Sequence, residues 1–539
     1  VHLLAQATEP LPLPRVDWRA IAPELALAGA AAVLLLVVAF WPGARRGLLA
    51  GLTLAGLAVA AGLTAWNWDL QRVAFDGAVS LDGITRYARV VLLAVGALAT
   101  LMAAQGSAPP EGSGEPRRGA PVDQEGSGEP RRGAPVDPEG SGEPEEEAPP
   151  EVFPLLLFAL TGMVLLAAAS DLLVVFIALE ILSLSLYVMA GATRRMAAQE
   201  AAMKYFLLGA FSSAFLLYGI ALCYGVAGTT NLVGIARASV DPTGDGTLLL
   251  AGIGLLAVGF CFKVAAVPFH MWTPDVYQGA PTPVAAFMAA GTKAAGFAVF
   301  LRVFDGALGG MVVSWRPVVA TVAVVTMLVG AGLAIVQSDL KRMLAYSSIS
   351  HAGYLLVGVA AAATVPAGIS ASMFYLLAYA FMVMGAFMVV QYASRLGPPD
   401  REPGGTGERS NLDDYRGFAR RHPWAGGLLA VFMLALTGIP PLSGFWAKYY
   451  VFLAGIEAGL TWLVVVAVIS SVISAFFYLR VLVVAYLQEP VGDPEAEAAP
   501  GRTTALGVAL GLAGLLTVAI GLAPEALISA ARSAERILG

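Results

Sequence analysis

Lys263 and Lys293 both fall in strongly apolar sequence, within FKVAAVPFHMWTPDVYQGAPTPVAAFMAAGTKAAGFAVF at 262–300. An ammonium at membrane depth is costly, so it normally faces a protein interior or a water-filled path. Between the two lysines, Pro268, Phe269, His270, Met271, Trp272, Thr273, Pro274 and Asp275 interrupt the helical pattern. Backbone broken at that depth is tolerated only where it is buried or lines a cavity. The chemistry these features suit is acid–base: a device that takes up and passes on ions or protons.

Other ionisable residues join this set, each with a plainer alternative. Glu180 lies mid-way along DLLVVFIALEILSLSLYVMAG, too deep to reach the interface. It is a proton carrier, a tuner of a nearby lysine, or half of a structural ion pair. Lys263 precedes Pro268 and could instead cap carbonyls freed by the break. Lys293 sits near the middle of its helix, where a structural role is hardest to argue. Lys204 is close enough to a helix end to snorkel. Lys448 follows a second break, TGIPPLSGFWAK at 437–448, and could pair between helices. His351, in SSISHAGY, is a proton relay near neutral pH or a satisfied structural histidine. His270 is expected to orient the first break, Arg480 to snorkel and Asp171 to cap a helix start. Cys223 and Cys261 both lie in apolar runs and form no metal spacing. No Gly-rich phosphate loop follows a strand, and no cysteine cluster offers iron–sulfur ligands. The expectation is that this chain houses no redox cofactor or metal.

Composition sets the elements that must hold these residues. Of 539 residues, 58% are hydrophobic and 13% charged, with a mean hydropathy of +0.74. A soluble domain carries about 25% charged residues, so the chain is an integral membrane protein. The net charge of −6 is local: residues 105–150 hold 4 Arg against 11 Asp or Glu, and the remainder 28 basic against 27 acidic. The N-terminus does not read as a signal peptide.

A span needs about 20 apolar residues, which gives about fourteen helices. They fall near 22–41, 48–66, 86–104, 152–170, 172–191, 200–225, 247–267, 282–304, 315–337, 341–363, 368–393, 425–455, 461–487 and 503–522. The fold class is thus all-α membrane protein. Residues 1–104 hold helices 1–3, and 488–539 hold helix 14 and a tail. Between helices 3 and 4, residues 105–150 repeat EGSGEPRRGAPVD and contain little that could bury a core, so a disordered loop is expected. Helices 7 and 12 are broken and run in opposite senses, the mark of inverted repeats in transporters. Residues 151–304 (helices 4–8) and 315–487 (helices 9–13) read as two inverted five-helix units. Arg45, Arg46, Arg194, Arg195, Lys341, Arg342 and the Arg-rich loop 394–424 share one side, expected to be cytoplasmic, with both termini periplasmic.

These residues resemble the antiporter-like membrane subunits of respiratory complex I, the NADH–quinone oxidoreductase, and among them the subunit N type, counterpart of mitochondrial subunit 2. The resemblance rests on PFHMWTPDVYQGAPTPVAAFMAAGTKAAGF, on SNLDDYRGFARRHPW and on LTGIPPLSGFWAKYYVF. It covers helices 4–13 by motif, and helices 1–3 and 14 by length and placement. Sister subunits L and M carry a tryptophan–leucine–proline version of the first motif, and M has glutamate where Lys448 stands. The loop 105–150 departs from the family, which is short there. The resemblance implies a proton-translocating subunit in a bacterial inner membrane, beside subunits of the K, M and L types and a long lateral helix from a sister subunit, with no nucleic-acid partner. It implies that NADH, FMN, iron–sulfur clusters and quinone are handled elsewhere in the complex. Glu180 matches the family's fifth-helix glutamate. Lys204, Lys263 and Lys293 match its lysines in helices 6, 7 and 8, Lys448 its helix 12 lysine, and His351 a position on the connecting route. An Mrp-type cation/proton antiporter subunit or a structural membrane anchor are the other readings.

Burial disfavours a charged lysine and a nearby carboxylate favours it. A Glu180–Lys263 pair that closes and parts would therefore switch the proton affinity of Lys263, which would pass its proton through Lys293 and waters toward Lys448, with His351 a candidate step on the way. Lys263 precedes its break, at the C-terminal end of a half-helix. Lys448 follows its break, at an N-terminal end where the dipole disfavours a cation, which would make Lys448 the release side.

Overall fold

The structure, a computed structural model, describes residues 16–41, 43–105, 149–240, 246–396, 408–490 and 504–536. The repeat loop expected at 105–150 lies outside the described residues apart from its ends. In chain order the first helices are α1 (Ala22–Phe40), α2 (Arg46–Trp66) and α3 (Gly83–Ala103), with a small hairpin of β1 (Arg72–Ala74) and β2 (Val79–Leu81) before α3. There follow α4 (Val152–Ala168), α5 (Leu172–Ala190), α6 (Met196–Ala227), the short α7 (Leu232–Val240), α8 (Gly246–Val264) and α9 (Trp272–Gly279). Next, α10 (Thr282–Phe287) and α11 (Lys293–Leu301) are joined through a π turn, Met288–Thr292, into one continuous crossing. The second half runs through α12 (Val312–Ile335), α13 (Leu340–Ala362), α14 (Ala367–Ala393), the short α15 (Phe418–Arg421), α16 (Pro423–Thr437), α17 (Ser443–Glu457) and α18 (Thr461–Leu487). It closes with α19 (Thr504–Leu522) and α20 (Pro524–Arg532).

Each expected crossing has its helix. Among the described residues twelve crossings are long and apolar enough to span a bilayer, and Val152–Ala168 and Pro423–Thr437 are shorter apolar helices. The crossing Thr282–Ala307, α13 and α14 are wholly buried, whereas α1 and α6 are one-third buried. A helix apolar on all sides is stable only where protein or lipid covers every face. The buried three therefore form the centre, and Lys293 stands on one of them. The hairpin, α7 and α20 were not expected from hydropathy, being too short or too polar to register as crossings.

The two halves close their chains in the same way. Asp171 caps α5, accepting from Leu173 N at 2.8 Å, and its strand-like backbone bridges Asn231. Asp339 caps α13, accepting from Arg342 N at 2.8 Å, and bridges Asn411. Leu172 N and Leu232 N bond Thr230 O and Ser170 O in the first half; Leu340 N and Leu412 N bond Ser410 O and Ser338 O in the second. An Asp at a helix start satisfies orphan amides at N2 or N3. The added bridge ties that start to the chain leaving the next helix.

Both breaks end in the same kind of cap. Ala266 N bonds Cys261 O and Ala265 N bonds Phe262 O at the end of α8; Ile439 N bonds Leu434 O and Gly438 N bonds Ala435 O at the end of α16. This is the paired pattern that closes a helix through one left-handed residue. Gly438 has φ +93° and Ala265 φ +62°. The freed Val267 N donates to Thr326 Oγ1 of α12 at 3.0 Å, so the second half satisfies the first half's break.

Candidate proton-transfer site

Lys263, in the last turn of α8, is 2% exposed. Its Nζ donates to Ser183 Oγ of α5 at 2.9 Å and stands 5.8 Å above the Tyr205 ring. Glu180, one turn before Ser183, accepts from Ser213 of α6 and acts electrostatically on Lys263. The expected Glu180–Lys263 ion pair is parted here: a serine holds each charge. Tyr187, Ser212, Ser213 and Lys263 line a narrow crevice between α5, α6 and α8. The cap proposed for Lys263 belongs to other residues. Trp272 Nε1 donates to Phe262 O at 3.0 Å, and Lys293 Nζ donates to Val264 O at 2.9 Å.

Lys293, 1% exposed, begins α11 immediately after the π turn. Single π turns re-aim a side chain and recur at functional sites. Here the turn stands next to the residue that reaches the end of α8. Lys293 thus reaches the carbonyl of the residue that follows Lys263, although the two lysines belong to different crossings. A Cβ on Gly296 would lie 3.0 Å from Val264 Cγ1 and 3.6 Å from Lys263 Cγ, so glycine permits this approach.

Lys448 is 5% exposed and donates to Leu436 O at 3.1 Å, Thr437 O at 2.7 Å and Ser471 Oγ at 2.8 Å. This corrects the dipole expectation. The residue belongs to the first turns of α17, but its long side chain folds back across the break onto the C-terminal carbonyls of α16. The Lys448 ammonium therefore sits at the carbonyl-rich C-terminal end of α16, as Lys263 stands in the last turn of α8, and the asymmetry predicted between these two lysines has no basis in their placement.

His351 stands within electrostatic reach of both Lys293 and Lys448. It is 2% exposed on α13, with Nδ1 2.7 Å from the Tyr375 hydroxyl and Nε2 3.1 Å from the Tyr478 hydroxyl. The Tyr478 hydroxyl also meets Ser347, and the Tyr379 hydroxyl donates to Ser348 at 2.8 Å. Tyr354 donates to Ser470 at 3.2 Å, and its ring lies 5.2 Å from the Lys448 ammonium. Both Lys293 and Lys448 act electrostatically on His351. A hydroxyl donates and accepts at once, so Tyr375, His351, Tyr478 and Ser347 form one connected run of hydrogen bonds, with the Tyr379–Ser348 and Tyr354–Ser470 pairs beside it. The tyrosines and serines were not singled out from sequence, since each is common in apolar helices. Only their convergence from α13, α14 and α18 makes them a group.

Lys204 does not join the buried set. Its side chain is 43% exposed and pairs with Glu200 at 2.7 Å and Asp275 at 2.9 Å. A lysine near a helix start reaches the interface at little cost, and the acid on α9 holds it there. Arg480 also differs from expectation. It donates to Ile335 O at 2.7 Å and to Gln337 O, closing the end of α12 rather than snorkelling. The His270 carbonyl accepts from Thr273 N at 2.9 Å, in keeping with a role inside the break.

Two buried charge pairs escaped the sequence reading. Arg302 forms a bidentate pair with Asp82 at 2.7 and 2.8 Å, both 1% exposed, and Arg89 pairs with Glu24 at 2.6 Å. Each lies near a helix end, where an ionisable residue passes for an interfacial one.

Residues 169–474 match the family described as NADH:quinone oxidoreductase/Mrp antiporter, TM. The chain is 44% identical to NADH-quinone oxidoreductase subunit N of Rhodococcus opacus over 550 residues, 99% of this chain and 98% of that one. It is 42% identical to the subunit of the same name in Acidothermus cellulolyticus over 532 residues, 98% of both. Among solved structures, a chain of respiratory complex I from Thermus thermophilus with bound aureothin matches with a TM-score of 0.73 at 32% identity, over 95% of this chain and 99% of that one. A chain of the Mrp complex from a Dietzia species matches with a TM-score of 0.75 at 22% identity, over 96% and 97%, a likeness of fold alone. With relatives this similar along nearly its whole length, the chain belongs to the subunit N family of NADH-quinone oxidoreductase membrane subunits.

Proposed function

We propose that this multi-pass chain moves protons across the bacterial inner membrane as an antiporter-like subunit of NADH–quinone oxidoreductase, driven by quinone reduction elsewhere in the complex. NADH, FMN, iron–sulfur clusters and quinone are then handled by other subunits, and the chain's membrane neighbours are of the K, M and L types. One observation carries the residue-level reading: Lys263, Lys293 and Lys448 are buried, and His351 lies within electrostatic reach of the last two. In this reading Glu180 closes on Lys263 to favour its protonated form and parts to release the proton. Lys293 receives it beside the shared end of α8, and the hydroxyls around His351 relay it toward Lys448 and Ser471. Lys204 acts at the surface rather than as a buried carrier. Residues 151–304 and 315–487 act as two inverted units around this axis, with 1–104 and 488–539 flanking them. The Arg- and Lys-rich loops face the cytoplasm and both termini the periplasm.

The test uses inverted membrane vesicles carrying Lys263→Ala, with assembly followed on a native gel. A buried general acid–base group contributes a factor of about 100 or more, so NADH oxidation linked to quinone and proton uptake should both fall at least tenfold. An assembled variant that oxidises NADH and takes up protons normally would overturn the route. Loss of only a cation/proton exchange would move the chain to the Mrp-type reading.

A further inference from the structure

We propose that α9 is the inlet gate of the proton path, with Trp272 as its plug and Asp275 as its latch; this rests on Lys263 being a proton carrier. Trp272 is 1% exposed, and its Nε1 bonds the carbonyl of Phe262, next to Lys263. Its ring stacks on Tyr205 at 4.6 Å, and the Lys263 ammonium stands 5.8 Å from the same Tyr205 ring. One helical turn further on, part-exposed Asp275 holds Lys204 of α6 at 2.9 Å and Arg342 of α13 at 2.7 Å. Gln278 adds a bond to the same Arg342 at 3.0 Å. From the Arg- and Lys-rich surface inward, the order is therefore ionic latch, indole, Tyr205, Lys263.

The element is a separate short helix set off by its flanking backbone. Its start follows the break at Ala265, and Ala280 beyond its end is extended, so α9 is hinged by non-helical backbone on both sides. Its end lies directly on α6: a Cβ on Gly279 would be 2.5 Å from Ala197 O. Its outer hold is the part-exposed ion pairs of Asp275, which are individually weak; its inner hold is the packing of buried Trp272, Val276 and Tyr277, with Trp272 against Tyr205 and Phe262 and Tyr277 against Phe387. Parting Asp275 from Lys204 and Arg342 lets Trp272 leave Tyr205 and Phe262 O, and water then reaches Lys263. Closing expels that water. A carrier lysine open to both faces at once would dissipate the gradient, so a closure of this kind is needed on the uptake side.

The second half supports the assignment. Asp275 stands ten residues after the left-handed Ala265, and Lys448 stands ten after the left-handed Gly438. The same register that carries a buried ammonium in one broken helix carries the latch acid in the other. Trp272 and Asp275 are thus positioning residues for proton uptake.

The experiment places the intact complex in sealed vesicles with a pH dye inside, imposes a pH step without NADH and reads passive proton flow. Loss of two part-exposed pairs should raise the open population, and hence the flow, about fivefold in Asp275→Asn. Trp272→Ala should leak more, and Trp272→Phe, which keeps a stacking ring, less. Adding Lys263→Ala should abolish each leak, which a general loosening of the fold would not allow. Asp275→Asn changes only a part-exposed group, so it remains informative if Trp272→Ala fails to assemble. Flow equal to the parent in Asp275→Asn, or a leak that survives Lys263→Ala, would overturn the gate. Failure of the route itself is read separately, from normal pumping in Lys263→Ala alone.

Discussion

At the scale of single residues, Lys293 and Lys448 are both helix caps and candidate carriers, and the two roles are separable. Lys448 donates to two carbonyls left open by the break and to Ser471. Removing a donor from buried carbonyls costs about 1–3 kcal/mol. Lys448→Met should therefore lower the melting temperature of the purified complex as well as stop transfer. Lys448→Gln keeps an N–H donor but cannot carry a proton. It should melt close to the parent while proton uptake per NADH falls at least tenfold, on the same scale as a lost acid–base group. Equal uptake in Lys448→Gln and the parent would reduce Lys448 to a cap.

At the scale of elements, an acid on the loop after α14 gathers the starts of several helices. Glu408 accepts from Lys341 at 2.6 Å, from Thr282 at 2.8 Å and lies 4.0 Å from Arg195, thereby joining α13, α10 and the turn before α6. Burial pushes its carboxyl up, but the Lys341 ammonium, the bonds from Lys341 and Thr282 and the Arg195 charge together hold it below the usual carboxylate range. A carboxylate whose folded value is depressed adds stability that is complete above its unfolded value and is lost as pH falls through the folded one. Glu408→Gln should therefore melt below the parent at pH 7, and the gap should narrow on acidification below about pH 4.5, the ordinary glutamate range. Thermal melts of parent and variant across that range check this; a gap independent of pH would mean that the charge contributes nothing.

At the scale of the whole molecule, the first three helices are fastened to the transport core by charge. Arg302 follows α11, at the end of the central crossing, whereas Asp82 caps α3, and Thr85 and Ala167 O complete the guanidinium's partners. A buried pair is weak evidence of net stability, yet removing one partner leaves an unpaired buried charge and costs about 3–5 kcal/mol. Asp82→Asn should thus sharply lower the yield of assembled complex on native gels. Asp82→Asn combined with Arg302→Met should recover part of it. No recovery in the double variant would show that the pair specifies the docking of α3 rather than merely neutralising charge.

The sequence by itself determined the crossings, because bilayer thickness fixes the length of an apolar run, and determined the breaks, because proline removes a donor wherever it stands. It also picked out Glu180, Lys263, Lys293, Lys448 and His351, since a charge deep in such a run has no interface to reach. Tertiary structure alone decided partners. That Lys293 reaches the end of α8, that Lys448 turns back onto α16 and that Asp275 holds Lys204 at the surface all depend on long side chains crossing between elements. Hydropathy and spacing report the depth of a residue along its own helix, not the direction its side chain takes. The hydroxyl cluster around His351 was invisible for the same reason: its members come from α13, α14 and α18, and only packing three helices around one imidazole makes them neighbours.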